Sequence, residues 1–422
     1  MSKQIQPVRG MNDVLPAEIG VWQHVERLAR AVFDSYGYQE VRVPIVEHTE
    51  LFKRSIGEFT DIVEKEMYTF QDVGGDSLTL RPEATAGIAR CAISNGMLRG
   101  ARHKLWCMGP MFRHERPQKG RYRQFYQIDL EALGFAGPDV DLELIALTAR
   151  LWRELKLSRV RLMINSLGTP NARAAYRERL VQYFQARQAE LDEDSLRRLG
   201  GNPLRILDSK NPAMQAVIAD APLLSEHLDP ESQAHLAALS AGLTALGISY
   251  EVNPRLVRGL DYYSRTVFEW VTDALGAQDA VCSGGRYDGL IAQLGGEATP
   301  AIGFAMGLER VVALVAQGEA VAAAAGPEVY IVANGERPEL RAAQLAEQLR
   351  DALPGRAVLL NLGGGNFKTQ LRRADRSGAR LALILGDAEL DRGVAAVKPL
   401  RSEGSQIDCP LGELPARIAS FL

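Results

Sequence analysis

The sequence predicts an α+β protein: an antiparallel sheet with flanking helices, broken by a helical insertion and followed by a small α/β domain. Three observations lead there. Strand signals in the first half follow one another with few helices between them, the order of an antiparallel sheet rather than a doubly wound one. From about Pro170 to His235 the strand signal gives way to charged, loosely apolar helical sequence such as ARAAYRERLVQYFQARQAELDEDSLRRL. After Pro327 strands and helices alternate over about 95 residues, the rhythm of an α/β unit.

The elements follow in chain order. Val21, Trp22, Val25, Leu28, Val32 and Phe33 recur at helical spacing and predict a helix from Ile19 to Tyr36. Tyr38 to Pro44 alternates and ends at a proline, as a strand does at a sheet edge. Met67 to Phe70 and Ser77 to Leu80 read as strands about a turn at Gly74-Gly75, and Thr85 to Met97 as a helix. Between Gly109 and Glu131, two apolar flanks enclose an arginine-rich loop punctuated by Pro117 and Gly120, hence strand, loop, strand. Asp141 to Leu155 is helical and Val160 to Asn165 a strand. Strands return near Ile248 to Val252, Ser264 to Val271 and Ala280 to Cys282, and over Pro300 to Leu314 a strand passes into a helix. Gln317 to Gly326, QGEAVAAAAG, is linker material. The last domain reads strand, helix, strand, helix, strand over Val329–Val332, Pro338–Leu353, Ala357–Leu360, Phe367–Ser377 and Leu381–Leu385.

Composition narrows the functional classes. A chain of 422 residues holds two to four domains, and a formal net charge of -3 rules out a generic polycation, so any nucleic-acid binding must use local patches. Four widely spaced cysteines with no C-x-x-C pair suit a reducing compartment. No apolar run approaches the ~18 residues of a membrane span, and the expectation is a cytoplasmic protein without a membrane partner. The six histidines show no metal-ligand spacing, and neither a Walker A nor a G-x-G-x-x-G phosphate loop occurs.

The chemistry-bearing signal is the hairpin loop. From Arg99 to Arg123 stand eight Lys/Arg against one acid, Glu115, with aromatics interleaved. Arginine offers planar, bidentate contact to phosphate, so the loop suits a polyphosphate, an RNA end, or both, with a solvated basic hairpin as the plain alternative. Four further segments stand out: TLRPEATAG (Thr79–Gly87), VRGLDYYSRTVFE (Val257–Glu269), SGGRYDGL (Ser283–Leu290) and AIGFAMGLERV (Ala301–Val311). Singly, their glycines serve turns and their arginines pair with nearby carboxylates.

Together and in this order, these segments resemble the class II aminoacyl-tRNA synthetases, and within them the bacterial histidyl-tRNA synthetases. FRHE (Phe112–Glu115) and GLER (Gly307–Arg310) are similar to the second and third motifs of the class, and RGLDYY (Arg258–Tyr263) to the histidine-specific signature. The likeness extends to RGMNDVLP (Arg9–Pro16) and GGGNFKTQLRRAD (Gly363–Asp375). It implies a catalytic domain over residues 1–325 with its helical insertion at about 170–235, and an anticodon-binding domain over 327–422. It also implies a homodimer built partly from the region around Val41 to Leu51.

The implied reaction activates L-histidine with ATP, Mg²⁺ riding on the outer phosphates, and passes the histidyl group to tRNA(His). By resemblance, Arg113 and Arg258 hold the α-phosphate and are the catalytic pair, while Arg121 and Arg310 meet the β/γ-phosphates. Glu115 accepts from the adenine amino group and Phe125 stacks on the purine. Glu83, Thr85 and Gln127 take the α-amino group, Glu131 and Tyr263 read the imidazole, and Tyr262 walls the pocket. Arg116, Gln118 and Lys119 face the tRNA acceptor end, and Asn366, Lys368 and Arg372 the anticodon. Ala84 stands where the family pattern has glycine, which raises the question whether that site demands a left-handed backbone or a close approach. The rival function is a non-catalytic synthetase paralogue that regulates ATP phosphoribosyltransferase. Such proteins generally lack the anticodon domain and the ATP-contacting arginines, all of which are present here.

Overall fold

A computed structural model describes residues 4–421, apart from 58–59, 119, 208, 210, 259, 277–279 and 319–325. The chain divides into two compact units, Met1–Val321 and Ala322–Leu422. Strands of the first are β1 (Gln39–Glu40), β2 (Val46–His48), β3 (Tyr68–Gln71), β4 (Ser77–Leu80), β5 (His103–Phe112), β6 (Gln124–Leu133), β7 (Arg161–Ser166), β8 (Tyr250–Val252), β9 (Ser264–Val271), β10 (Ala280–Arg286) and β11 (Ala301–Gly307). Eight of them form one sheet in the order β1-β5-β6-β11-β10-β9-β7-β8, while β2, β4 and β3 make a small separate sheet. The interior pairings are antiparallel, as the sequence predicts; only the edge strands β1 and β8 pair parallel.

Alternation along the strands divides this sheet into an apolar face and a polar one. Ile128 and Leu130 of β6, Phe268 and Trp270 of β9, and Phe304 and Met306 of β11 share one buried cluster. Trp22, Val25 and Phe33 of α1 (Ile19–Ser35) and Leu144, Leu147 and Leu151 of a later helix (Pro138–Glu154) belong to the same cluster. Residues of the opposite parity, Gln127, Asp129 and Glu131 on β6, Glu269 on β9 and Gly303, Ala305 and Gly307 on β11, face the other way. The sheet thus presents a row of polar and small side chains beneath the helix Thr85–Ser94 and the helical insertion.

One buried ionic network fastens the insertion's last helix to this sheet. Arg286, at the end of β10, lies 2.7 Å from Asp141 and donates to the carbonyls of Phe135 and Gly137 at 3.0 and 2.6 Å. His235 meets the same carboxylate at 2.6 Å. Burial alone would push Asp141 up, but the bonds from His235 and Arg286 outweigh it and hold the carboxyl below its ordinary value. The helix that carries His235 runs over Pro230–Ala245, with Asp229 as its N-cap.

Several boundaries differ from expectation. Only Gln39–Glu40 of the Tyr38–Pro44 segment is strand, because the guanidinium of Arg81 rather than a neighbouring strand takes the Val43 carbonyl, at 2.9 Å. The helix after Thr85 stops at Ser94, ahead of Gly96 with φ +63°. Most of the alanine-rich linker lies outside the described residues.

In the second unit, β12 (Val329–Ala333), β13 (Val358–Leu360), β14 (Leu381–Leu385), β15 (Val394–Pro399) and β16 (Ile407–Pro410) form a sheet ordered β13-β12-β14-β15-β16. The first three run parallel and the last two antiparallel. Strands β15 and β16 and the helix Leu414–Phe421 carry too weak a period to be seen in the sequence. Among the described residues, no helix is long and apolar enough to cross a membrane.

Candidate active site

The polar face of the large sheet floors a cleft of about 280 Å³. Its register sets the layout. Asp129 on β6 pairs with Ala305 on β11, Ala305 with Ser283 on β10, and Ser283 with Glu269 on β9. An acid therefore stands on each flank, with only small side chains between them. One level along, Glu131 pairs with Gly303, and a Cβ on Gly303 would overlap the Glu131 carboxylate and the Leu130 carbonyl. The glycine here is demanded by close approach, not by turn conformation.

Three carboxyls crowd one flank. Glu83, Asp129 and Glu131 are all buried. Glu83 accepts from the Ala86 backbone N–H at 3.1 Å. Thr85 donates to Glu131 at 2.6 Å, and Tyr287 donates to the other oxygen of the same carboxylate. Desolvation raises Glu83 and pushes Asp129 and Glu131 well above the carboxylate range; the bonds from Thr85 and Tyr287 offset only part of that at Glu131. Tyr262, Tyr263 and Tyr287 close the same side, with ring centroids 4.6 and 5.4 Å apart.

Four arginines gather elsewhere in the cleft. Arg113 donates through Nε to the Pro82 carbonyl at 2.9 Å, and its guanidinium sits 5.2 Å from the Phe125 ring centroid. Arg258 binds Glu269 at 2.7 Å, and Ser283 donates to the same oxygen at 3.1 Å. Arg121 lies 2.5 Å from Glu115, and Arg310 donates to the Gly120 carbonyl at 3.1 Å. Each guanidinium is thus held by the protein and points a fixed charge at shared space. The cleft is bipolar: three buried carboxyls on one flank, and on the other four guanidiniums, two of them ion-paired with Glu115 and Glu269.

Of the residues singled out from sequence, Glu83, Thr85, Arg113, Glu115, Arg121, Phe125, Gln127, Arg258, Tyr262, Tyr263 and Arg310 all line this cleft. Glu131 stands against it through Thr85 and Tyr287. Arg116 and Gln118 are exposed on the hairpin loop, where Gln118 and Arg121 exchange backbone hydrogen bonds, and Lys119 lies outside the described residues. Asn366, Lys368 and Arg372 are exposed on the second unit. Asn366 is the N-cap of the helix Phe367–Arg376, its side chain accepting from Thr369 at 2.9 Å. Ala84 has φ -104° and ψ -20°, an ordinary right-handed conformation, so this position does not need glycine's backbone freedom.

Sequence reasoning passed over Asp129, Glu269, Tyr287 and Glu309, which also line the cleft. Asp129 had a signal: it lies midway between Gln127 and Glu131 on a strand, and period 2 puts all three on one face. Tyr287 and Glu309 lie inside segments already marked as unusual, but their contacts to Glu131 and to the Tyr126 backbone are 156 and 183 residues distant in sequence.

Residues 10–311 match the family model for histidyl-tRNA synthetase, and residues 328–420 the model for an anticodon binding domain. The crystal structure of apo histidyl-tRNA synthetase from S. aureus is 33% identical, covers 98% of this chain and 100% of its own, and superposes with a TM-score of 0.83. Histidyl-tRNA synthetase from Nostoc sp. shares the fold at 19% identity, with full coverage of both chains and a TM-score of 0.71. A Bacillus halodurans protein titled ATP phosphoribosyltransferase regulatory subunit/histidyl-tRNA synthetase shares it at 22% identity, over 92% of this chain and 99% of its own, with a TM-score of 0.66. With most of its length matched by the family model and a one-third-identical relative aligned nearly end to end, this chain belongs to the histidyl-tRNA synthetase family.

Proposed function

We propose that this chain is a histidine–tRNA ligase: it joins L-histidine to ATP, giving histidyl-adenylate and pyrophosphate, and then passes the histidyl group to the 3′ end of tRNA(His). The observation that carries the proposal is the bipolar cleft, with three buried carboxyls on one flank and four arginines on the other above a floor of small residues. A zwitterion fits that polarity, its ammonium toward the acids and its carboxylate toward the guanidiniums.

In the proposed step a carboxylate oxygen of histidine attacks the α-phosphorus of ATP. The new P–O bond forms as the bond to pyrophosphate breaks. Arg113 and Arg258 are the catalytic residues: their guanidiniums, already fixed by Pro82 and Glu269, meet charge developing on the α-phosphate without reorganising. Arg121 and Arg310 take the outer phosphates, Glu115 the adenine amino group and Phe125 the purine face. Thr85 and Gln127 join Glu83 at the α-amino group, while Glu131 and Tyr263 read the imidazole, with Tyr262 as wall. Mg²⁺ would come with its nucleotide, carried chiefly by phosphate oxygens. Arg116, Gln118 and Lys119 are assigned to the acceptor end of the tRNA, and Asn366, Lys368 and Arg372 to its anticodon. The reading extends to a homodimer formed around residues 41–51, where Ile45 and Val46 are exposed, and to a cytoplasmic location.

Amino-acid-dependent ATP–pyrophosphate exchange tests the proposal without tRNA. Exchange with histidine alone among the twenty amino acids is the expected result. The Bacillus halodurans neighbour gives the competing reading its weight: histidine binding with no exchange would assign this chain to regulation of ATP phosphoribosyltransferase.

A further inference from the structure

We propose that Asp129 is an additional binding residue of this cleft, holding the α-ammonium of the amino acid from the sheet side; the assignment rests on the histidine reading of the site. Four observations converge. Asp129 is fully buried, and neither of its carboxylate oxygens accepts a well-formed hydrogen bond, the Ala84 N–H being the one backbone donor that acts on it. A buried acceptor left unpaired is costly, and in native proteins such a group normally has a partner or a ligand. The side chain lines the cleft. Finally, it stands in register with Ala305, Ser283 and Glu269, so across the small-residue floor it faces the Glu269 that grips Arg258. Three strand spacings of ~4.8 Å separate the two acids at the backbone, which leaves room for an amino acid between their inward-reaching side chains.

The charge pattern selects the ligand group. Glu83 and Arg113 within the cleft, and Arg81 outside its lining, are the charged groups that act most strongly on Asp129. Arg81 is already engaged, donating to the Pro110 and Val43 carbonyls at 2.9 Å each. Cys107 is the residue opposite Asp129 on β5 and brings no charge. Glu83 and Glu131 each have donors of their own, so among the carboxyls of this flank the one without a well-formed bond is Asp129, and the neighbouring Gln127 Oε1 on the same strand face is likewise an unpaired acceptor. A compact cation with three N–H donors supplies both hydrogen bonds and compensating charge, which is what an α-ammonium offers; a neutral donor supplies only the first. Burial raises the carboxyl, and an ammonium beside it favours the charged form.

The test measures binding of three compounds by titration calorimetry: histidine; histidinol, which keeps the ammonium and lacks the carboxylate; and imidazole-4-propionate, which lacks the ammonium. Asp129→Asn keeps shape and removes the charge. It should weaken histidine and histidinol by roughly ten- to a hundredfold, the range of a hydrogen bond to a charged group, and change imidazole-4-propionate less than about twofold. Equal loss for all three compounds, or for none, would overturn the assignment while leaving the wild-type histidine site intact. Failure of the wild type to bind histidine would remove the functional reading itself, and Asp129's role with it. If that variant does not fold, Asp129→Ser is measured against the same three compounds, and the same loss confined to histidine and histidinol is expected. Equal loss for all three compounds, or for none, overturns the proposal there too.

Discussion

Replacing Glu309 by glutamine should stabilise the first unit near pH 8 and do so far less near pH 5. The β6–β11 ladder ends at the Gln127–Gly307 pair, and the next donor, the Tyr126 N–H, is taken by the Glu309 carboxylate at 2.9 and 3.1 Å. Desolvation raises this part-buried carboxyl from its ordinary 4.5 to about 7, against the pull of its backbone bonds and Arg310. In the unfolded chain the group ionises near its ordinary value. Stability carried by the protonated form is therefore fully present below that value and lost as the pH climbs to about 7. At ~1.4 kcal/mol per pH unit, the loss has a ceiling of about 3 kcal/mol, and glutamine, which never ionises, escapes it. All four tryptophans, Trp22, Trp106, Trp152 and Trp270, belong to the first unit, so their fluorescence in urea follows that unit alone. The quantity to plot is the stability difference between variant and wild type at several pH values from 5 to 8.5. A difference that stays flat would refute the reasoning, since it would mean that Glu309 titrates alike in the folded and unfolded states.

Three further outcomes are expected. Gly303→Ala places a methyl group on the Glu131 carboxylate and should lower histidine-dependent exchange by more than about a hundredfold, with an overpacking cost of ~1–3 kcal/mol read from urea unfolding. Asp141→Asn removes the buried carboxylate that Arg286 and His235 share, leaving Arg286 only the part-buried Asp288 at 3.1 Å, and should cost about 3 kcal/mol in the same fluorescence assay. Tyr287→Phe removes one of the two hydroxyls on Glu131, and histidine affinity by calorimetry should fall several-fold, the effect of ~1 kcal/mol, with the unfolding midpoint nearly unmoved.

What the sequence disclosed and what it hid follow the range of the interactions involved. The antiparallel order of the large sheet was legible because each strand carries its own period, as did the strand-to-helix passage that delivers Arg310. The cleft residues were legible through contiguous motifs, and the hairpin alone supplies Arg113, Glu115, Arg121, Phe125 and Gln127. Two kinds of information were missing. Register is a property of strand pairs, so nothing local says that Asp129 and Glu269 share a level with only Ala305 and Ser283 between them. Backbone satisfaction is also non-local: Val41–Pro44 alternates like a strand, yet the Arg81 side chain takes the carbonyl that a neighbouring strand would have used. Ala84 shows the same limit in reverse, a local oddity that its observed backbone angles make ordinary.

The helical insertion belongs to the architecture of the cleft and not only to its surroundings. Arg173, on the helix Pro170–Gln185, donates to the carbonyls of Tyr263 and Asp261 at 2.5 and 3.3 Å, and Asn202 donates to the Asp261 side chain at 2.5 Å. These bonds hold the segment that carries Arg258, Tyr262 and Tyr263 from behind. Arg205 and Arg197 reach Asp61 and Glu64 at 3.2 and 2.8 Å, beside Ile62, which lines the cleft. The insertion therefore grips two walls of one pocket by side chains that belong to a single helical body. Any displacement of that body must either break several charge-assisted bonds or carry the tyrosines with it, and the bonds to Arg173 are the less expendable because its guanidinium is largely desolvated. Contacts on the outer surface of the insertion thus have a physical route to the flank where Glu131 and Tyr263 face the imidazole in the proposed reaction.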